Sequence, residues 1–166
     1  MLRAHHIRAV VDVRRYPVSR RHPHFNTEAL QKALAPHDIE YRLLGGLGGR
    51  RKTQPDSVNL GWRNESFRGY ADYMQTETFR HALESLLSLA SEAPTAIMCA
   101  EAVPWRCHRR LISDALIARG VEVLHILGPG HADPHELDPN ARLLPGGRLL
   151  YAGPPEEQRS LFEEGR

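Results

Sequence analysis

Residues 95–119 read TAIMCAEAVPWRCHRRLISDALIAR, and this stretch combines a strand, a polar loop and a helix. Its apolar start predicts a buried strand over Thr95–Met98, and the apolar spacing of its end predicts a helix over 107–119. Around the junction lie both cysteines of the chain, an acid, a histidine and three arginines. Because the N–H groups and the dipole of a helix start favour anions, this junction is a candidate ligand site.

The rest of the chain continues this alternation of short apolar runs and amphipathic segments. The β-α-β-α-β-α-β order predicts an α/β fold, in which a three-layer, open and mainly parallel sheet is flanked by helices. Besides Thr95–Met98 and 107–119, the predicted elements are strands over 7–13, 39–44 and 121–127, a helix from Asn26 or Thr27 to Ala35, and a helix over 76–91.

The regular pattern weakens in two places. Residues 45–69 are rich in glycine and polar residues and predict a long loop, of the kind that is usually functional. We expect residues 1–128 to form one domain and 129–166 to form an irregular, Pro- and Gly-rich C-terminal extension packed on it. Within the extension, GRLLY predicts a short edge strand, and residues 155–162 predict a final helical turn.

Composition narrows the class of protein. The chain has 166 residues, of which 41% are hydrophobic and 25% charged, as expected for a single globular domain. It has no apolar run near the roughly 20 residues needed to cross a bilayer, and no secretory signal. We therefore expect no membrane partner and a cytoplasmic location, where two cysteines are more often catalytic, redox-active or buried than disulfide-bonded.

Positive charge is concentrated locally although the net charge is only +2. Residues 13–27, 41–55 and 102–113 carry eleven of the 22 Lys and Arg residues and no acid. Where such stretches follow the carboxyl ends of parallel strands, they converge on one crevice. The pattern predicts an anionic partner, either a small molecule or a nucleic acid.

Six segments resemble the bacterial family called domain of unknown function 488. They occur in the family's order and span residues 3 to about 128: VVDVRRYPVSRRHPHFN, YRLLGGLGG, FRGYADYMQTETF, IMCAE, CHRRLISDAL and VLHIL. The resemblance implies the α/β fold, and the family's name states no activity. Members usually begin with a Gly-His-Ser strand and a helix, whereas MLRAHHIRAV here looks like the end of that helix. A late start codon or a truncation would explain this, and the exposed sheet edge predicts a homodimer contact.

Four residues are candidates for catalysis: Asp12, Glu101, Cys107 and His108. Cys107 lies at a helix start among arginines, which favours a nucleophilic thiolate, and Cys99 is either a packing residue or its redox partner. Asp12 and Glu101 follow neighbouring strands and could share acid and base roles. Alternatively, Asp12 pairs with Arg14 or Arg109 and only holds the loops in place.

A second set of residues has the hydroxyl, guanidinium, amide, aromatic and glycine groups that bind phosphates and bases. The candidate substrate-binding residues are Arg14, Ser19, Arg20, Phe25, Asn26, Gly45, Gly46, Arg106 and Arg109. We expect neither a cofactor nor a metal, because the pairs His22 with His24 and His131 with His135 lack companions at ligand spacing.

Three functions agree with these features. The first is a small cytoplasmic enzyme, a hydrolase or transferase, that acts on a nucleotide, nucleic-acid or other phosphorylated substrate in a basic pocket. The second is a non-catalytic nucleic-acid-binding module, in which arginines contact phosphates and aromatic side chains stack on bases. The third is a thiol or redox protein that uses Cys107.

Overall fold

A computed structural model describes residues 1–153 of the chain, so the predicted helical turn at 155–162 lies outside the described residues. Four α-helices and seven β-strands lie within 1–153, joined by single turns of 3₁₀ helix. The elements are β1 (Ala9–Asp12), α1 (Thr27–Leu34), β2 (Glu40–Leu43), α2 (Glu65–Tyr73), α3 (Glu77–Glu92), β3 (Thr95–Met98), α4 (Arg109–Ile117), β4 (Leu124–Gly128), β5 (His131–Pro134), β6 (Ala141–Leu144) and β7 (Arg148–Tyr151).

The first three strands form a parallel sheet in the order β2-β1-β3. Ala9 lies opposite Glu40 on one side and Thr95 on the other. All four residues of β1 are buried, as expected for the central strand of a sheet that is covered on both faces. Because the three strands are parallel, their carboxyl ends meet at one edge of the sheet.

Side chains of β1 alternate between two apolar layers. Val10 packs with Leu34 and Ile39 on the side of α1, whereas Val11 and Val13 join the main core with residues of α2, α3 and α4. This period of two follows from the geometry of an extended strand. The layered arrangement confirms the predicted α/β fold.

The fourth predicted strand does not extend the parallel sheet, so this part of the prediction is wrong. Leu124–Gly128 pairs with β5 in an antiparallel hairpin. Pro129 and Gly130 form the turn, and Gly130 adopts a φ of 69°, which glycine accommodates without strain. Gly128 therefore leads into a hairpin turn, because a turn sequence directly after a strand favours an antiparallel return.

Two further predictions need correction. The predicted loop over 45–69 ends at α2, whose N–H groups are capped by the Asn64 side chain. The chain after 128 is also more regular than expected: β6 pairs with β7, so the predicted strand in GRLLY is confirmed. Leu149 and Tyr151 of β7 are part of the main core.

A cavity of about 450 Å³ lies beside the outer edge of β3 and is lined in part by β4. No strand within residues 1–153 pairs with that edge of β3. The homodimer contact through this edge stays a prediction. Among the helices that the structure describes, none is both long and apolar enough to cross a membrane.

Candidate functional site

The loop between β3 and α4 folds back so that the two cysteines meet. Cys99 directly follows β3 and Cys107 precedes α4, and their Sγ atoms are 3.0 Å apart. A 3₁₀ turn over Pro104–Arg106 reverses the chain, and the Cys107 N–H donates to the Pro104 carbonyl at 3.0 Å. Both cysteines are free thiols; Cys107 is buried and Cys99 half-buried.

The His108 imidazole faces both sulfurs with one ring nitrogen. Its Nε2 lies 3.1 Å from the carbonyl oxygen of Val13, which can only accept, so Nε2 carries the proton. In the neutral ring Nδ1 is then an acceptor, and it lies 3.5 Å from Cys107 Sγ and 4.0 Å from Cys99 Sγ. The backbone carbonyl of Val13, the residue after β1, thus sets the tautomer that a base for the thiols requires.

The pKa values of the two thiols are shifted in opposite directions. A hydrogen bond from Cys99 lowers the pKa of Cys107 to about 6, against burial, and the backbone N–H of Arg109 adds to this effect. The same hydrogen bond, together with burial, raises the pKa of Cys99 to about 12. The ionised state of the pair is therefore a Cys107 thiolate that accepts from the Cys99 thiol.

A cavity of about 370 Å³ reaches the two sulfurs and His108. Glu101 and Arg106, two predicted site residues, are exposed and lie on its wall. Apart from Glu101, the charged residues of the wall are four arginines, and Tyr16, Phe67 and Tyr70 are its aromatic residues; the arginines are Arg14, Arg15, Arg50 and Arg106. The charged groups of this wall are therefore mainly positive.

Asp12 lies at the end of β1, and both oxygens of its carboxylate accept hydrogen bonds from neighbouring side chains. The Arg14 guanidinium donates through Nε to Oδ1 at 2.8 Å and to Oδ2 at 3.0 Å, and the Tyr41 hydroxyl donates to Oδ2 at 2.7 Å. The Asp12 side chain is fully buried and does not line the cavity that Glu101 lines. The structure therefore does not place the two carboxylates on one cavity wall.

The predicted binding residues of the loop after β1 hold that loop together. The Ser19 N–H donates to Asn26 Oδ1 at 2.6 Å, and Arg14 Nη2 donates to the Phe25 carbonyl at 2.7 Å. The Phe25 ring and Arg20 are exposed. None of Ser19, Arg20, Phe25 and Asn26 lines the cavity that contains the cysteines.

Among the loop glycines, the one at the site is Gly49, which the predicted set of Gly45 and Gly46 does not contain. A Cβ on Gly49 would lie 2.8 Å from His108 Nδ1. A Cβ on Gly45 would meet no atom within 4 Å, and one on Gly46 would clash with the Ala82 Cβ at 2.9 Å. The glycine cluster was visible in the sequence, but only the folded structure shows that Gly49 is the glycine that lies against the His108 ring.

The two sides of Arg109 have different surroundings. Its backbone N–H donates to Cys107 Sγ at 3.5 Å, whereas its guanidinium donates to the carbonyl oxygens of Glu101 and Ala102. The side chain lines the larger cavity next to β3. Arg109 therefore supports the cysteine loop from behind.

Sequence reasoning missed a buried polar network behind α4. Asp114 is fully buried; its Oδ1 accepts from His135 Nε2 at 2.8 Å, and its Oδ2 accepts from the Tyr151 hydroxyl at 2.8 Å. His135 Nδ1 in turn lies 2.9 Å from His125 Nε2. An acid within the apolar face of the predicted helix was the available signal, since a buried carboxylate needs partners.

One group of side chains within residues 1–153 has the donor set of a metal site. The Sγ atoms of Cys99 and Cys107 and a ring nitrogen of His108 lie within 4.8 Å of one another. The histidine pairs considered from the sequence do not contribute. These three residues are the ones that could hold a metal ion.

Comparison with protein families matches residues 1–116 to the family described as "Domain of unknown function DUF488". No curated protein matches the chain. No solved structure matches it either. The matched region includes the candidate site, because it contains β1, β2, β3, both cysteines, His108 and most of α4. The chain belongs to the DUF488 family.

Proposed function

We propose that this protein is a thiol-dependent enzyme that reduces an anionic disulfide substrate, with Cys107 as the nucleophile and Cys99 as the second thiol. The observation that carries the proposal is the 3.0 Å separation of the two sulfurs beside an imidazole nitrogen with a free lone pair. A single buried cysteine could be a packing residue. Two cysteines in this arrangement support exchange chemistry.

In the first step the Cys107 thiolate attacks one sulfur of the substrate disulfide. A bond forms between Cys107 Sγ and that sulfur, the substrate S–S bond breaks, and the other half leaves as a thiolate that takes up a proton. The short contact with Cys99 stabilises the attacking thiolate. The product of this step is a mixed disulfide on Cys107.

In the second step the Cys99 thiol attacks Cys107 Sγ. His108 Nδ1 lies 4.0 Å from Cys99 Sγ and accepts the thiol proton. The mixed disulfide breaks, the second half of the substrate leaves as a thiolate, and Cys99 and Cys107 form a disulfide. Because the two sulfurs start 3.0 Å apart, they approach by only about 1 Å to reach the S–S bond length. An external dithiol then restores the reduced protein.

The cavity wall supports an anionic substrate. Arg15, Arg50 and Arg106 are exposed there and can bind carboxylate or phosphate groups, including those of a nucleotide. Glu101 on the same wall can exchange a proton with the leaving thiol. Such chemistry requires a reducing compartment, and the cytoplasm is the one we propose.

The test is reaction of the reduced protein with oxidised glutathione, an anionic disulfide, followed by intact-mass analysis. We expect wild-type protein to lose two hydrogen atoms as Cys99 and Cys107 join. Cys99→Ser should stop at the mixed disulfide on Cys107, because the resolving thiol is missing. Cys107→Ser should not react at a measurable rate.

The controls separate chemistry from folding. Each variant is compared with wild type by circular dichroism and thermal unfolding, and a neutral disulfide, hydroxyethyl disulfide, is reacted in parallel. The proposal is overturned if folded Cys107→Ser reacts as fast as wild type, or if reduced wild-type protein reacts no faster than a model thiol at neutral pH.

A nucleic-acid-binding module is the second candidate function, and exposed aromatic side chains beside arginines favour it. Trp105 is 53% exposed next to Arg106, and Tyr16 is 63% exposed next to Arg15. Salt-dependent oligonucleotide binding that is unchanged in Cys107→Ser would support this function and would not require any thiol chemistry.

A further inference from the structure

We propose that the reduced Cys99, Cys107 and His108 cluster binds a divalent zinc-like cation, and that metal binding and disulfide formation exclude each other. The exclusion rests on the proposed function, because the same two thiols would bind the metal and reduce the disulfide substrate. The metal would take the place of the thiol hydrogens, with three protein ligands and a fourth position open to the cavity. This is the ligand count of zinc sites that keep a place for water or substrate.

The distances between the ligand atoms suit a tetrahedral ion. Zinc bonds of about 2.3 Å to sulfur and about 2.0 Å to nitrogen separate neighbouring ligands by about 3.5 to 3.8 Å. His108 Nδ1 lies 3.5 Å and 4.0 Å from the two sulfurs. The sulfurs, at 3.0 Å, need to separate by less than about 1 Å, which rotation of the half-buried Cys99 side chain allows.

The second, independent observation concerns the groups behind the ligands. Histidines that bind metals usually donate their other ring N–H to a carboxylate or a backbone carbonyl, and His108 Nε2 lies 3.1 Å from the Val13 carbonyl oxygen. The Arg109 backbone N–H points at Cys107 Sγ from 3.5 Å. These contacts hold two of the three ligand atoms in the orientation that a metal needs.

The donor types select the ion. Two thiolates and one imidazole suit zinc and other soft cations, and they disfavour magnesium and calcium, which prefer oxygen ligands. Two thiolates also cancel the charge of a divalent ion. The expectation of no metal rested on histidine pairs elsewhere in the sequence, whereas this cluster is created by the fold of residues 99–108.

Because the same two sulfurs would bind the metal and form the disulfide, the two states are alternatives. When a substrate disulfide oxidises the metal-bound site, the two protein thiolates give up two electrons and become joined. The substrate S–S bond breaks into two thiolates, and the cation is released. Metal bound at the site therefore slows the first attack by Cys107.

The experiment uses the full chain, reduced and freed of metal with a chelator, and titrated with cobalt(II) as an optical probe. We expect one equivalent to bind, with intense sulfur-to-cobalt charge-transfer absorption and the visible bands of a tetrahedral ion, both lost on adding zinc. Cys107→Ser and Cys99→Ser should lose tight binding, whereas His22→Asn, which changes an exposed histidine, should not.

Oxidised wild-type protein is a control that needs no substitution, and it should bind no cobalt because both sulfurs are joined in the disulfide. The metal inference fails if reduced wild-type protein binds no cobalt in a one-to-one complex, or if oxidation leaves the binding unchanged. If the metal inference fails but the protein still reduces oxidised glutathione, the proposed thiol function is supported without the metal site. Conversely, tight cobalt binding without disulfide reduction would support the metal site and overturn the enzyme proposal.

Discussion

The carboxyl ends of β1 and β3 lie at the same edge of one sheet, yet they carry opposite kinds of polar cluster. At the end of β1, Asp12 is fully buried and accepts hydrogen bonds from Arg14 and Tyr41. Beyond the end of β3, Cys99 and Cys107 share a thiol proton, and His108 Nδ1 has a free lone pair next to a cavity. The first cluster is hydrogen-bonded internally, whereas the second borders a cavity and is the one to which we assign the proposed thiol chemistry.

Position at the sheet edge does not by itself make a residue catalytic. A carboxylate whose oxygens are all engaged by neighbours has little capacity left for a substrate. A thiol pair with one ionisable proton and a nearby acceptor nitrogen does have that capacity. The hypothesis that Asp12 pairs with Arg14 describes the observed contact; a catalytic role for Asp12 stays a prediction.

The largest effect should come from breaking the β1 cluster. Asp12→Ala leaves the Arg14 guanidinium buried without its carboxylate, and we expect a loss of about 3 to 5 kcal/mol in the free energy of unfolding. Denaturant unfolding measures this. Glu40→Ala is the matched control, since its ion pair with Arg42 is exposed and should contribute less than about 1 kcal/mol.

If Asp12→Ala does not yield folded protein, Tyr41→Phe tests the same cluster more gently. It removes one hydrogen bond to Asp12 and should cost about 1 kcal/mol. Equal stabilities for wild type, Tyr41→Phe and Glu40→Ala would show that the β1 cluster is not the stabilising one.

The second effect tests the position of the imidazole. Gly49→Ala places a Cβ against His108 Nδ1, and the displaced ring should slow reduction of oxidised glutathione about ten- to hundredfold. Gly45→Ala is the control, because its Cβ enters open space. Rates are measured at neutral pH on protein with unchanged thermal stability, and equal rates for the two variants would contradict a role for His108.

The third effect is a pH dependence of the metal-free thiols. Because the pKa of Cys107 is lowered to about 6, its thiolate is present above that pH and is lost as the pH falls through it. Alkylation by iodoacetamide, followed by mass spectrometry, should therefore rise through about pH 6. Cys99→Ala removes the main stabilising hydrogen bond, so the midpoint should move upward, and an unchanged midpoint would contradict the pairing.

The smallest effect concerns the cavity wall. Arg106→Gln should slow the reaction with oxidised glutathione about two- to fivefold at low salt, because an exposed charge mainly affects association. The difference should shrink at high salt and should be absent with hydroxyethyl disulfide. Arg63→Gln changes an exposed arginine that does not line the cavity and should have no such effect.

Several elements were predictable because their signals are local. The strand over Thr95–Met98 is found with the predicted bounds, and α3 lies within a residue or so of its predicted range. The Asn64 cap of α2 was a local signal too, but the surrounding glycines and polar residues obscured it. The apolar run of β4 predicted a strand and could not predict its partner, because strand direction depends on where the chain returns.

The sequence by itself determined the α/β class, the family, the concentration of basic charge and the identity of the reactive residue types, since these follow from periodicity, motifs and composition. Only the tertiary structure placed the Sγ atoms of Cys99 and Cys107 3.0 Å apart. It also decided that the Asp12 carboxylate accepts hydrogen bonds from Arg14 and Tyr41, and that Gly49 lies against the His108 ring. The physical reason is that distances between side chains from different elements depend on how the loops fold. Local sequence patterns do not encode that geometry.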